Sequence, residues 1–87
     1  MKELSENFIG KGQVKGFVFT QKLKTDNAYI YEVNTGQTIH YEVFKRKVNN
    51  KFNCISYPSD KSFGIWAWTC LSYEKAIEKL EHIKTLK

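Results

Sequence analysis

The chain has few of the residues that carry chemistry. It has two cysteines in 87 residues, Cys54 and Cys70, and neither stands in a CxxC pair. No disulfide framework follows from them. A metal centre needs three or four converging ligands. His40, His82, Cys54 and Cys70 have no metal-ligand spacing, so neither a metal nor a cofactor is expected. No run reaches the roughly 18 apolar residues of a membrane-spanning helix. Met1 to Glu6 leads into no apolar stretch of the secretory type, so a reduced, cytoplasmic setting without a membrane partner is expected. There are five glycines, and Gly10-Lys11-Gly12 lacks the rest of any phosphate-binding fingerprint. No nucleophile sits in a catalytic motif. The chain is therefore read as non-enzymatic. The one enzymatic alternative is an acid–base pair of His40 and Glu42, neighbours on one strand face, although such a pair is ordinarily a solvated salt bridge.

Hydrophobic residues make up 41% and charged residues 26% of the chain, the proportions of a soluble globular domain. A chain this long buries roughly 60–65% of its unfolded surface, enough for one modest core in a single domain, residues 1–87. Six Phe, five Tyr and two Trp are more rings than average. Rings bury much area per residue and also make binding platforms. The net charge of +5 favours anionic partners or serves solubility.

Turn residues divide the chain into strands. Residues 1–9 are expected to be loose. Strands are expected over Val14–Leu23, Ala28–Val33, Thr38–Val48, Lys51–Tyr57 and Ser62–Thr69. They are separated by Lys24–Asn27, by Asn34–Gln37 with Gly36 available for positive φ, by a two-residue Asn49-Asn50 turn, and by Pro58–Lys61. From Ser72, a good N-cap with Glu74 in the first turn, Tyr73, Ala76, Ile77, Leu80, Ile83 and Leu86 recur at helical steps. The fold class expected is α+β. An antiparallel meander of four to five strands, about residues 12–70, carries one C-terminal helix, about 72–86, on one face.

The faces of the sheet then decide the function. A two-residue loop at Asn49-Asn50 pairs Val48 with Lys51, Arg46 with Asn53, Phe44 with Ile55 and Glu42 with Tyr57. Those eight share a face with His40. Ile39, Tyr41, Val43, Phe52 and Cys54 take the other face, under the helix. Trp66 and Trp68 lie two apart and share a face if the strand is extended. With Ile65 and Ala67 beneath the helix, the indoles join Phe44 and Tyr57 on an open face; the alternative buries both under the helix. The open arrangement suits single-stranded DNA or RNA, whose bases stack on rings while cations track phosphates. The candidate residues are Trp66, Trp68, Phe44 and Tyr57 for stacking, with Lys45, Arg46, Lys47 and Lys51 for phosphates. The alternative is a protein–protein or homodimer interface on the same rings, since aromatics and Arg are also enriched at interface cores.

Gly12 before the first strand, the tyrosine-rich Tyr29-Ile30-Tyr31 and the closing amphipathic helix give the chain a layout that resembles PUR-repeat and Whirly-type domains. The resemblance covers roughly Gly12 to Leu86. It implies binding of single-stranded nucleic acid and pairing into a homodimer, and it assigns no particular binding residue.

Overall fold

The computed structural model describes residues 3–85 of the chain. Strands β1 (Asn7–Ile9), β2 (Val18–Lys24), β3 (Ala28–Asn34), β4 (Ile39–Lys45) and β7 (Ala67–Cys70) form one antiparallel sheet in the order β1-β2-β3-β4-β7. Strands β5 (Val48–Asn49) and β6 (Cys54–Ile55) make a separate small hairpin. Helix α1 (Tyr73–Thr85) closes the fold. The architecture is α+β, with the helix packed on the meander.

Local chemistry sets the turns. Thr25 accepts the amides of Asn27 and Ala28 on Oγ1, at 3.2 and 3.0 Å, and so reverses the chain between β2 and β3. Between β3 and β4, Gly36 takes φ +92°, where a side chain would strain the backbone. Asn34 Oδ1 accepts the Gly36 amide at 2.8 Å. These turns lock the register Tyr29↔Phe44, Ile30↔Val43 and Tyr31↔Glu42 across β3 and β4.

Ser72 caps the helix, its Oγ accepting the Lys75 amide at 3.2 Å. Ala76, Leu80 and Ile83 are buried against Ala28, Ile30 and Val43, with Leu23, Tyr41, Trp68 and Ile77 at the margin. Burial of Leu80 and Ile83 is worth about 1.5–3 kcal/mol each. A 13-residue helix is marginal alone, so this stripe holds it in place. Leu86, assigned to the same stripe by sequence, lies outside the described residues.

The opposite face is covered too. Phe19, Tyr29, Tyr31, Val33, Phe44, Ile55 and Ala67 form a second buried cluster, with Leu4, Phe8, Phe17, Tyr57, Phe63 and Trp66 packed against it. Its lid is the N-terminal segment and the stretch from β6 to Phe63. The expectation that residues 1–9 are loose fails for residues 3–9. Phe8 pairs opposite Phe19 in β1–β2, Tyr29 Oη donates to Glu3 at 2.7 Å, and Tyr31 Oη donates to the Ser5 carbonyl at 2.6 Å. Each tie spans 26 residues of sequence, out of reach of any local pattern.

Four strand expectations also change, the last because the strand expected over Ser62–Thr69 begins only at Ala67. The first strand starts at Val18, because Gly12–Val14 forms a 3-10 turn and Gly16 sits at φ +87°. Thr38–Val48 breaks into β4 and β5, and Lys51–Tyr57 contributes only β6. The hairpin pairs Val48 with Ile55 and Asn49 with Cys54, not Val48 with Lys51. Asn49 Oδ1 accepts the amides of Lys51 and Phe52, and Asn53 adopts φ +52°. The loop is therefore four residues long. The partner of β4 beyond β3 is β7, in the register Phe44↔Ala67 and Val43↔Trp68.

Candidate functional site

Of the aromatic platform expected from the sequence, Phe44 is interior, and Tyr57, Trp66 and Trp68 are half-buried. Phe44 has no exposed surface. Its ring lies 5.4 Å from that of Tyr29, 5.7 Å from Tyr31, 4.8 Å from Tyr57 and 6.4 Å from Trp66. A ring enclosed in this way has no face left for a base. Tyr57 is half-buried over the same cluster and donates its hydroxyl to Glu42 Oε1 at 2.5 Å. Burial pushes the Tyr57 phenol far above its ordinary range, with the Glu42 charge adding to it.

The two indoles do not share a face. Ala67 belongs to the aromatic cluster and Trp68 to the helix side, the reverse of the expected arrangement. Trp66 precedes the strand. The Ser62 carbonyl accepts the amides of both Ile65 and Trp66 at 3.0 Å, and Gly64 takes φ +89°. That turn swings Trp66 onto the aromatic face. Trp68 sits beside α1 with Lys79 Nζ 4.7 Å from its ring centroid.

The cations divide in a similar way. Arg46 is committed to the N-terminal segment: its guanidinium donates to Glu3 Oε2 at 2.6 Å. Lys24 Nζ stands 3.3 Å from the other oxygen of Glu3. The Tyr29 hydroxyl and then Arg46 hold the Glu3 carboxyl down at about 2. Burial, with the Glu3 bond, pushes Tyr29 up to about 12. Lys47 is exposed, with its ammonium 5.4 Å from the Trp66 ring centroid. Lys51 is exposed on the hairpin loop, 5.6 Å from the ring of Phe52. The Lys45 amide donates to the Trp66 carbonyl at 3.0 Å, so both chains run together at this end of the sheet.

Phe52 is the ring that sequence reasoning misplaced. A two-residue turn puts it under the helix; the four-residue loop leaves it 68% exposed. Ile65 is exposed on the neighbouring turn. From Val43 to Tyr73 the sequence carries Lys45, Arg46, Lys47, Lys51 and Lys61 against the single acid Asp60. Four of the five net charges of the chain therefore fall in this segment. What the hairpin end offers is one exposed ring, Phe52, and one half-buried ring, Trp66, each with an exposed lysine beside it, in a segment of net positive charge.

His40 and Glu42 do meet. His40 Nε2 lies 3.2 Å from Glu42 Oε2, with Tyr57 on the other oxygen. The three side chains form a linear hydrogen-bonded chain, of which Glu42 and Tyr57 line a groove. Among the described residues no group of three or more His, Cys, Asp or Glu side chains converges to hold a metal ion, and no helix is long and apolar enough to cross a membrane. Comparison with protein families, with curated proteins and with solved structures finds no match to this chain.

Proposed function

We propose that this chain is a small, non-enzymatic cytoplasmic binding module that holds single-stranded nucleic acid on its hairpin end. Trp66 and Phe52 supply the stacking faces, and Lys45, Lys47 and Lys51 the phosphate contacts. The observation that carries this reading is the placing of an exposed lysine beside exposed Phe52 and another beside half-buried Trp66, where the charge of the chain is concentrated. Such rings stack on any base, and an exposed ammonium is free to move from ring to phosphate. Trp68, Phe44, Tyr57 and Arg46 have no part in it: Trp68 lies beside the helix on the opposite face, Phe44 and Tyr57 pack in the second core, and Arg46 is held by Glu3.

Fluorescence anisotropy of a labelled oligothymidylate at two salt concentrations tests it. Three phosphate contacts give a slope of about −2 in log K against log salt. The double variant K47A/K51A should flatten this to about −0.7. Phe52→Ala should weaken binding by about 1–3 kcal/mol without changing the slope. An oligonucleotide that fails to bind at low salt, or a slope indifferent to K47A/K51A, refutes the proposal.

A second reading, a homodimer, is favoured by one observation. Ile9, Val18 and Ile39 are exposed in a single cross-strand row, Ile9↔Val18↔Asn34↔Ile39, on the side of the sheet that carries α1. Helix α1 packs on β3, β4 and β7 and leaves this row uncovered. Two copies stacked through it about a two-fold axis form an isologous interface. Light scattering of Val18→Lys against the unaltered chain decides: an unchanged monomer mass in both removes the dimer.

A further inference from the structure

A groove of about 590 Å³ opens at the margin of the second core, where β1 and the Tyr57–Phe63 stretch fail to meet. Its size lies within the roughly 300–1,000 Å³ of small-molecule sites. Phe8, Phe19, Tyr57 and Phe63 wall it, Glu42 lies within it, and Lys11 is the other charged residue on its lining. None of Phe52, Trp66, Lys47 or Lys51 lines it, so it is independent of the nucleic-acid reading.

Three of the wall rings pack directly on one another. Phe8 stacks on Phe19 at 4.7 Å with planes 4° apart, and Tyr57 stands edge-on to both at 5.5 and 5.4 Å. Packed in this way they give the groove an apolar wall suited to the body of a ligand. The Glu42 side chain is 14% exposed, and its counter-ion among the described residues is His40, which is charged only when protonated. No lysine or arginine pairs with Glu42 among the described ion pairs. A largely buried carboxylate without a permanent cation is an incomplete arrangement. Tyr57 and His40 occupy two of the roughly four lone-pair positions of this carboxylate, which leaves acceptor capacity for a donor in the groove. Lys11 is exposed at the rim, where water and salt screen it.

We propose that this groove binds an organic ammonium carried on an aryl or alkyl body, its charge on Glu42 and its body among the four rings. Phenethylammonium chloride and its neutral analogue 2-phenylethanol, each titrated into the isotopically labelled protein and followed by amide chemical shifts, test the proposal. Phenethylammonium should move the Gly10, Lys11 and Ser59 amides in a saturable way, and 2-phenylethanol should bind at least tenfold more weakly. Glu42→Gln, with its spectrum still dispersed, should lose at least tenfold in affinity for the ammonium. If Glu42→Gln does not fold, the comparison of the two ligands on the unaltered protein decides alone. Equal affinity for amine and alcohol, tighter binding of phenylacetate through Lys11, or no shift at 20 mM amine (about the top of a weak titration) each overturns the proposal.

Discussion

Replacing Phe44 by alanine separates a core ring from a platform ring. Phe44 is wholly buried and touches four other rings. Truncation removes its transfer energy and leaves a cavity that Tyr29 and Tyr31 cannot fill, since their hydroxyls are tied to Glu3 and Ser5. Phe→Ala at such a site costs about 3–5 kcal/mol. A domain of this size has a total stability of roughly 4–13 kcal/mol, so the loss is a large part of the whole. At a urea m-value of about 1.5 kcal/mol/M, the midpoint falls by roughly 2–3 M. Phe52→Ala is the control: that ring is exposed, and its loss should stay within about 0.5 kcal/mol. Urea unfolding followed by tryptophan emission reads both. A Phe44→Ala midpoint within about 0.5 M of the parent refutes the enclosed second core, because only a solvent-facing ring is removed so cheaply.

Three further outcomes follow from named atoms. Tyr57→Phe removes the donor to the Glu42 carboxylate; it should cost about 1.5–3 kcal/mol in urea unfolding, and no change would mean the bond does not form in solution. The Glu3 carboxyl sits at about 2 in the folded chain against an ordinary 4.5, so its contribution is complete above about 4.5 and is lost as pH falls towards about 2. The gap in thermal midpoint between the parent and Glu3→Gln should therefore close over that window, and a gap independent of pH refutes the Glu3 clamp. Gly10→Ala places a Cβ 2.4 Å from the Val14 carbonyl oxygen and 2.9 Å from a Phe19 ring carbon; the displacement should cost about 1–3 kcal/mol in the same unfolding assay, and a neutral substitution would refute the close packing of this turn on β2.

The parts of the fold legible in sequence are those governed by neighbours in sequence. Strand β4 alternates as expected: Tyr41 and Val43 face α1, while Glu42 and Phe44 face the other way with Ile55 and Tyr57. The helix, its Ser72 cap and its buried stripe follow from three- and four-residue spacing alone. Period-two reasoning fails at Trp66 because it assumes an unbroken strand. Gly64, at positive φ, is the residue that breaks it, and a glycine inside a strand pattern is a signal of just that kind. The hairpin fails for a similar reason. Asn49 engages its own neighbours through its side chain, and Asn53 takes the left-handed conformation that Asn tolerates. Asparagine therefore promoted a longer loop than the two-residue turn that its spacing suggests. Nothing local signals the N-terminal ties, since Glu3 meets Arg46 across 43 residues.

Covering both faces follows from the composition of β3. Tyr29, Ile30, Tyr31 and Val33 are all buried, and a strand apolar on both sides must sit between two layers. One helix covers one side. Among the described residues, short, irregular segments cover the other side: residues 3–9 and the stretch from Cys54 to Phe63. Segments of that kind fill a face by inserting rings, which is how the abundance of Phe and Tyr is used. They also leave gaps at their margins. The groove beside Glu42 lies at one such margin, and the ring-and-lysine tip formed by Trp66 and Phe52 at another. The same irregular cover that encloses Phe44 thus leaves two smaller surfaces, one lined by a carboxylate and one by lysines. The two surfaces are accordingly of opposite charge.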